Sequence, residues 1–393
     1  MRPLRARMTA RRTDERHRAS TPLELLFDLT FVVAAGQIAG RLAHGIEDGR
    51  TVPAIAVFLT VFFAIWWSWM NFTWFASGYD TDDVPYRLFT MMQMAGVLIL
   101  AAGVPAAFDD GDFRGITIGY LIMRAGLVAQ WIRAAISDPG HRGGPVRTAV
   151  GYSVAQAGWL VRLALPASVA LPSAVVLALV DMAVPLWAER AGAASWNPHH
   201  IAERYGLFTI ILLGESVMAA TTAVEEALRV PGHRGPLAVV ALSGLTLVFA
   251  LWWLYYLQRA ATGLEQRRRL AYVWGYGHYG IFAALAALGA GLEVAVRRTG
   301  HPLEAADVVV SAAVAIPVGV FLLLLWAVHA PLVPLTGISG AVVVPAAAVV
   351  LLSPLATAVL TTTGVILVVA LACSAVVALT VLRQSRTDPD PVR

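Results

Sequence analysis

The amino-acid sequence predicts an all-α fold, a polytopic transmembrane helix bundle with about twelve spans. The chain has 393 residues, of which 58% are hydrophobic and only 14% are charged, whereas a soluble domain carries roughly 25% charged residues. The charged residues cluster in short segments, and the stretches between them have the length of about 20 residues that a helix needs to cross a bilayer. Runs such as 239–251 do not alternate in polarity, so a β-barrel is not expected.

Each apolar stretch between polar segments predicts one span. In chain order the predicted spans cover residues 22–43, 52–75, 88–107, 115–136, 148–169, 172–188, 203–223, 237–258, 271–294, 306–328, 333–352 and 356–382. The segments that separate two spans within region 148–188, and two spans near Pro354, are short. Eleven spans are therefore an alternative.

The arginines predict the topology and the main partner of the protein. All 29 basic residues are Arg, and most lie in segments that face the cytoplasm if the N-terminus is cytoplasmic. This bias predicts that both termini are cytoplasmic and that the number of spans is even. The sequence pI is about 9.4, but arginines segregated into loops indicate a lipid bilayer as partner and no nucleic acid.

Three ordered matches suggest an internal duplication. They pair segment 26–37 with 204–215, segment 63–67 with 249–253, and Gly96 with Gly280, at offsets of 178, 186 and 184 residues. We therefore predict two parallel six-helix halves, 21–190 and 199–382, between an Arg-rich cytoplasmic tail of residues 1–20 and a short cytoplasmic tail of residues 383–393. Parallel duplication of this kind recurs among transporters.

Two carboxylates lie in the first predicted span. Glu24 and Asp28 are four residues apart, so they share one helix face. Glu24 near the membrane surface is either a solvated carboxylate at the helix entry or part of a site. Asp28, one turn deeper, is either an interhelical hydrogen-bond acceptor or a direct ligand or proton carrier.

The seventh predicted span carries His200, Glu203, Arg204 and Glu215. Arg204 and Glu215 face the same side but lie about 16 Å apart along the axis, so each needs a partner from another span. Glu215 is the deepest acid in the chain. It is a candidate for proton coupling or substrate contact, with a structural ion pair as the alternative.

Three further charged residues interrupt apolar spans and are candidate buried charge partners: Arg124, Arg162 and Asp181. Either arginine could pair with Asp28, Asp181 or Glu215. The region 308–382 contains only His329 and Cys373 as ionisable side chains, so spans 10–12 are expected to form a scaffold or the face of a homodimer.

No motif for a conventional active site occurs in the chain. His199, His200, Glu203 and His278 lack zinc spacing, and no nucleophile elbow, P-loop or dinucleotide fingerprint lies on a strand–helix turn. We therefore expect no catalytic residues, no metal and no cofactor, and the sequence favours a membrane protein that is not an enzyme.

Two segments carry a family resemblance. The stretch Thr21-Pro22-Leu23-Glu24-Leu25-Leu26-Phe27-Asp28-Leu29-Thr30-Phe31-Val32 resembles the first signature of the bacterial low temperature requirement A family, and segment 200–216 resembles its second signature. The resemblance extends to about residue 330 and implies a multi-pass protein of the bacterial cytoplasmic membrane whose activity is not established. The motif residues carried over are Glu24, Phe27, Asp28, His200, Glu203, Arg204, Gly214 and Glu215, and the family assigns no agreed role to them.

A second similarity is to the potassium-channel family of bacteria and lysosomes, which also duplicates a six-helix unit. The first helix of that family carries a Phe-Ser-Asp motif, and here Phe27-Asp28 lacks the serine.

Three functions remain open from the sequence. The first is a permease for a small solute or ion, with Asp28 and Glu215 in the translocation or coupling site. The second is a membrane-embedded enzyme or lipid-binding protein that holds a phosphate headgroup with Arg204, His200 and Glu203. The third is a structural or stress-related membrane protein without transport, in which the buried charges only pair with one another.

Overall fold

The computed structural model describes residues 4–11, 19–192, 196–229, 234–333 and 338–387, and every regular element in these ranges is a helix. The α-helices are α1 Pro22–Glu47, α2 Thr51–Tyr79, α3 Val84–Asp109, α4 Arg114–Ser137, α5 Gly143–Arg162, α6 Ala170–Glu189, α7 Pro198–Arg229, α8 Arg234–Tyr256, α9 Ala260–Gln266, α10 Ala271–Gly300, α11 Asp307–His329, α12 Gly340–Leu352 and α13 Thr357–Thr387. The predicted all-α polytopic fold is confirmed. Residues 1–3, 12–18 and 388–393 of the predicted tails lie outside the described ranges.

Ten helical segments of the described chain are long and apolar enough to cross a membrane, two fewer than the predicted twelve. The predicted fifth span forms α5, but its glycines and polar side chains make this helix too weakly apolar to count. The last two predicted spans form one helical stretch, Gly340–Ser385, which a 3-10 turn at Ser353–Ala356 divides into α12 and α13. This stretch is interrupted at Thr361, whose φ of 61° is not helical.

The chain divides into two compact units. Unit 1 comprises Met1–Ile38 and Val57–Arg204, and unit 2 comprises Ala39–Ala56 and Tyr205–Arg393. The tryptophan pairs that the duplication aligns differ in burial. Trp66 and Trp67 are fully buried in unit 1, whereas Trp252 and Trp253 in unit 2 are 45% and 48% exposed. The two six-helix halves therefore stay a prediction.

Helices α3 and α4 of unit 1 approach each other through glycines. A Cβ atom added to Gly119 would lie 2.5 Å from the backbone nitrogen of Leu100 and 2.6 Å from the carbonyl oxygen of Gly96. Gly103 and Gly115 meet in the same way one to two turns further along, where a Cβ on Gly115 would lie 2.9 Å from the Gly103 Cα. Small residues at such an interface allow helix backbones in a membrane to pack closely.

An N-terminal strap, Leu4–Arg11, covers the α2–α3 loop and the end of α4 in unit 1. Asp83 accepts a hydrogen bond of 2.7 Å from the Ala6 backbone N–H, and the Arg133 guanidinium pairs with Asp83 and donates to the Ala6 carbonyl at 2.9 Å. The Met8 side chain is fully buried. The predicted polar tail is thus partly folded onto the helix ends.

Unit 2 buries two histidines beside aromatic rings. The His329 Nδ1–H donates to the Leu325 carbonyl at 2.9 Å, and its Nε2 accepts from the Trp274 indole at 3.2 Å. The His278 Nδ1–H donates to the Trp274 carbonyl at 2.7 Å, and its Nε2 accepts from the Tyr255 hydroxyl at 3.2 Å. All four ring nitrogens are used, so this pair belongs to the packed interior of unit 2.

Replacing Gly119 by alanine should destabilise the protein, because the added methyl group cannot fit between the α3 and α4 backbones. Overpacking of this kind costs about 1–3 kcal/mol. The matched control is Gly40→Ala, since a Cβ on that helical glycine meets nothing within 4 Å. Thermal unfolding in detergent should show a lower midpoint for Gly119→Ala only. Equal midpoints would mean that α3 and α4 can separate at little cost.

The strap should detach from Asp83 in acid. Burial raises the pKa of the Asp83 carboxyl, but hydrogen bonds from Arg133 and from the Ala6 and Tyr86 backbone N–H groups outweigh burial and hold this pKa below its ordinary value. A carboxyl with a lowered folded pKa stabilises the structure above its unfolded pKa of about 3.9, and this stabilisation is lost as the pH falls through the folded pKa.

Hydrogen exchange followed by mass spectrometry would test this behaviour of the strap. We expect the Ala6 amide to stay protected from pH 7 to about pH 5 and to lose protection below about pH 4. Asp83→Asn should remove the protection already at pH 7, whereas Asp82→Asn, which alters the exposed pair with Arg87 on the same loop, should leave it intact. If the protection of the Ala6 amide changed neither with pH nor in Asp83→Asn, Asp83 would not be what holds the strap in place.

Candidate functional site

The start of α1 forms a capping box that positions Glu24. The Thr21 backbone N–H donates to Glu24 Oε2 at 2.7 Å, and the Glu24 backbone N–H donates to the Thr21 hydroxyl at 3.2 Å. Pro22 opens the helix, a position where the missing N–H costs no hydrogen bond. The sequence Thr-Pro-Leu-Glu therefore holds the Glu24 side chain against the first turn of α1, where the helix dipole favours a negative charge.

The start of α7 is capped by an asparagine. Asn197 Oδ1 accepts hydrogen bonds from the backbone N–H groups of His199 and His200 at 3.0 and 3.2 Å, and Pro198 is the first helical residue. This cap places His200 in the first turn of α7 and Arg204 one turn further on. Both residues belong to the part of α7 that lies in unit 1.

Four of the six candidate site residues meet in one buried cluster, the carboxylate–arginine cluster of Glu24, Asp28, Trp69, His200 and Arg204. Arg204 Nη1 lies 3.2 Å from Glu24 Oε1, and its Nη2 donates to Asp28 Oδ1 at 2.5 Å. His200 Nε2 lies 3.0 Å from Glu24 Oε1, and the Trp69 indole donates to Asp28 Oδ1 at 2.7 Å. No side chain of the cluster is more than 3% exposed.

The charges of this cluster do not cancel when both carboxyl groups are ionised. Glu24 and Asp28 carry two negative charges, and Arg204 always carries one positive charge. A buried net charge is costly, so one proton on Glu24, Asp28 or His200 makes the cluster neutral. These side chains therefore offer three places for a proton beside a fixed guanidinium.

Glu203 lies outside this cluster. Its side chain is exposed, and its Oε1 accepts a hydrogen bond of 3.1 Å from the Ser20 backbone N–H. His200 and Arg204 instead face carboxylates and are fully buried. These three residues therefore do not form one accessible site for a phosphate headgroup.

The Arg124–Asp181 pair is a second buried charge site of unit 1. Arg124 Nη2 donates to Asp181 Oδ1 at 2.9 Å, and Asp181 Oδ2 accepts from the Trp159 indole at 2.8 Å and from the Tyr120 hydroxyl at 3.2 Å. The guanidinium carbon also lies 4.0 Å from the Tyr152 ring centroid. Of the pairings that the sequence left open, the structure forms this one, and its charges cancel.

Arg162, the other arginine predicted to have a buried partner, has no carboxylate within salt-bridge distance in the described part of the chain. Its Nε donates to the Ala170 carbonyl at 3.1 Å, and its guanidinium lies over the Phe113 ring at 5.1 Å from the centroid.

Glu215 lies in unit 2 and lines a cavity of about 230 Å³, the Glu215 cavity. Ala39, Met218, Ala219, Thr222, Gly289, Glu293, Val296 and Arg297 complete the lining. Arg297 donates to Glu293 at 2.6 Å and to Glu47 at 2.8 Å. Among the described residues no basic side chain lies within 4.0 Å of the Glu215 carboxyl, so this wall of the cavity carries an uncompensated acid.

A glycine makes room for the Glu215 backbone. A Cβ atom added to Gly289 would lie 2.7 Å from the Glu215 Cβ, so α7 and α10 of unit 2 approach closely at this level. Gly214, beside Glu215 in the sequence, has nothing within 4 Å of an added Cβ. The close packing at Gly289 therefore places α10 along the wall of the Glu215 cavity.

Trp69, Glu293 and Glu47 were not predicted from the sequence. Trp69 is one of several tryptophans in α2, and no sequence signal separates it from its packing neighbours. Glu293 and Arg297 are four residues apart near the end of α10, a spacing that predicts an ion pair on a helix surface. The capping box Thr-x-x-Glu is a recognisable signal, and it would have separated Glu24 from an ordinary solvated carboxylate.

Comparison with known proteins agrees with the earlier resemblance. The model of the family described as bacterial low temperature requirement A protein matches residues 19–381. An uncharacterised protein of Rhizobium meliloti (strain 1021) is 26% identical over 303 residues, which cover 73% of this chain and 71% of that protein.

Removing the cluster's guanidinium should strongly destabilise the protein. In Arg204→Gln the two carboxyl groups stay buried without their shared cation, and breaking a buried ion pair in this way costs about 3–5 kcal/mol. Arg50→Gln is the control, because the pair of Arg50 with Asp48 is more than half exposed. Thermal unfolding in detergent should separate the two variants. A midpoint for Arg204→Gln equal to that of Arg50→Gln would show that the cluster contributes little to stability.

Proposed function

The chain belongs to the bacterial low temperature requirement A family, and from that premise we propose that it is a permease that carries a small cation or a small cationic solute across the cytoplasmic membrane. The Glu215 cavity is the proposed binding site. The carboxylate–arginine cluster is the proposed carrier of a coupling proton.

The observation that carries this proposal is the uncompensated carboxyl of Glu215. This residue lies seven positions before Thr222, where the apolar span Pro198–Thr222 ends, about 10 Å along the helix axis and therefore inside a hydrocarbon core of about 30 Å. Ionisable groups at that depth are costly and usually serve a substrate or ion pathway. A cation in the cavity would neutralise Glu215 without any rearrangement of its neighbours.

The charge and size of the cavity favour a small cationic ligand. Glu215 and Glu293 line the cavity with two carboxyl groups, whereas Arg297 carries one guanidinium that pairs with Glu293 and also with Glu47 outside the lining. At about 30 Å³ per water molecule, a volume of about 230 Å³ holds roughly seven waters. A monovalent cation with part of its hydration shell, or a short alkylammonium ion, fits such a space.

The Glu293–Arg297 end of the cavity lies near the end of α10, about two turns before Gly300. With the N-terminus in the cytoplasm, as the arginines predict, α1 ends outside the cell at Glu47. Arg297 pairs with Glu47, so this end of the cavity faces the outside. The proposed site is thus an outward-facing vestibule with Glu215 at its bottom.

The alternative of an enzyme or lipid-binding protein that holds a phosphate with Arg204 and His200 has less support. Both side chains are fully buried against carboxylates, so a phosphate would first have to displace Glu24 and Asp28. A structural membrane protein without transport would explain the Arg124–Asp181 pair, whose charges cancel. It would not explain why Glu215 has no basic partner.

Flux measurements in proteoliposomes would test the proposal. Uptake of Rb⁺ and of methylammonium is measured together with the internal pH, for the wild type and for Glu215→Gln. The variant keeps the side-chain shape but removes the charge that attracts the cation, and losing one charge-assisted contact should lower uptake of the transported probe about tenfold or more.

Glu225→Gln is the matched control, since Glu225 is on the same helix but 59% exposed. Its uptake should equal that of the wild type, and Glu215→Asp should keep part of the activity. Equal uptake by the wild type and Glu215→Gln would remove Glu215 from the mechanism. No uptake of either probe by the wild type would reject the cation permease.

A further inference from the structure

Arg162 borders a groove on unit 1 that the permease proposal does not use. The residue is only 9% exposed. Its Nε donates to the Ala170 carbonyl, and its guanidinium lies 5.1 Å from the Phe113 ring centroid and 5.9 Å from that of Trp159. The two Nη groups have no hydrogen-bond partner among the described residues, so four strong donors face the groove.

The groove is predominantly apolar beyond its arginine. Val61, Phe63, Ala64, Ile116 and Trp159 form its wall, with the polar groups of Thr60, Thr117 and Tyr120 among them. It runs from the level of Phe113 and Arg162 at the helix ends to Tyr120, about 10 Å deeper along α4. The space that it encloses is only about 30 Å³, enough for about one water molecule. A soluble solute therefore cannot be enclosed there.

The segments that form the groove also carry exposed apolar side chains. Leu59, Leu160, Val161 and Leu163 adjoin lining residues in the sequence, and each is between 38% and 63% exposed. On helices that cross a bilayer, such side chains face the lipid chains. A ligand of this groove must therefore be amphiphilic, with an anionic group at Arg162 and an apolar body along the wall.

We propose that the groove, the Arg162 groove, binds one phospholipid, whose phosphate accepts hydrogen bonds from the Nη groups of Arg162 and whose acyl chain lies along Ala64 and Trp159, the half-buried apolar side chains of the wall. The planar guanidinium fork matches the geometry of a phosphate. The nearby carboxylates of Asp110 and Asp112 lie outside salt-bridge distance of Arg162, so they leave its charge available to the phosphate.

Native mass spectrometry of the full-length protein in detergent would test the proposal. Dioleoyl phosphatidylglycerol is compared with dioleoylglycerol, which has the same chains but no phosphate. We expect the wild type to bind the phospholipid about tenfold more tightly than the neutral lipid. Arg162→Gln should abolish this preference, and Arg114→Gln, a neighbouring exposed arginine, should retain it.

Two further variants cover a failure of Arg162→Gln to fold. Arg162→Lys keeps the charge without the planar fork and should keep only part of the preference. Ala64→Phe fills the apolar wall and should weaken binding of both lipids while Arg162 is unchanged. The proposal would be overturned if the wild type bound the two lipids with equal affinity, or if Arg162→Gln bound the phospholipid as tightly as the wild type. Either result would mean that Arg162 only extends toward the membrane surface. Displacement of the lipid by millimolar inorganic phosphate would indicate a free phosphate site instead, and would overturn it equally.

Discussion

The shared guanidinium of Arg204 is the interaction on which unit 1 depends most. It binds Glu24 and Asp28 at the same time, and both carboxylates lie on one face of α1 because they are four residues apart. Without Arg204 these two acids would repel each other in a site that excludes water. The capping residues Thr21 and Asn197 belong to the same arrangement, because they define where α1 and α7 begin and hence which turns face each other.

Charge balance distinguishes the buried sites of this protein. The charges of Arg124 and Asp181 cancel each other, and Trp159 and Tyr120 donate hydrogen bonds to Asp181, so this pair needs no ligand for charge balance. The carboxylate–arginine cluster has one acid more than its arginine neutralises. Glu215 has no basic partner and Arg162 has no acidic partner within the described ranges. Charges that remain uncompensated inside a membrane are costly, and these are the places where a proton, a cation or a lipid phosphate would lower the free energy.

Most helix positions were predictable because long apolar stretches leave few alternatives in a bilayer. The predicted seventh span, 203–223, lies inside α7, Pro198–Arg229, because a helix continues beyond the hydrocarbon core until a cap or a break ends it. The fifth span was overestimated, since the glycines and polar residues of α5 make it less apolar than its neighbours. The division predicted near Pro354 coincides with the 3-10 turn Ser353–Ala356 between α12 and α13, and the backbone departs from helical geometry again at Thr361.

The sequence by itself determined the all-α membrane fold, the candidate residues in the two signatures and the shared face of Glu24 and Asp28, because these follow from local composition and helix periodicity. Only the tertiary structure decided that Asp28 pairs with Arg204, which is 176 residues away, and that Arg124 pairs with Asp181. The reason is physical. Any buried arginine would neutralise any of these acids about equally well, so the choice among them is made by which helix faces pack together. The same holds for Glu215 and Arg162. Neither has an oppositely charged partner within the described ranges, and this follows from how the helices pack and cannot be read from the neighbouring sequence.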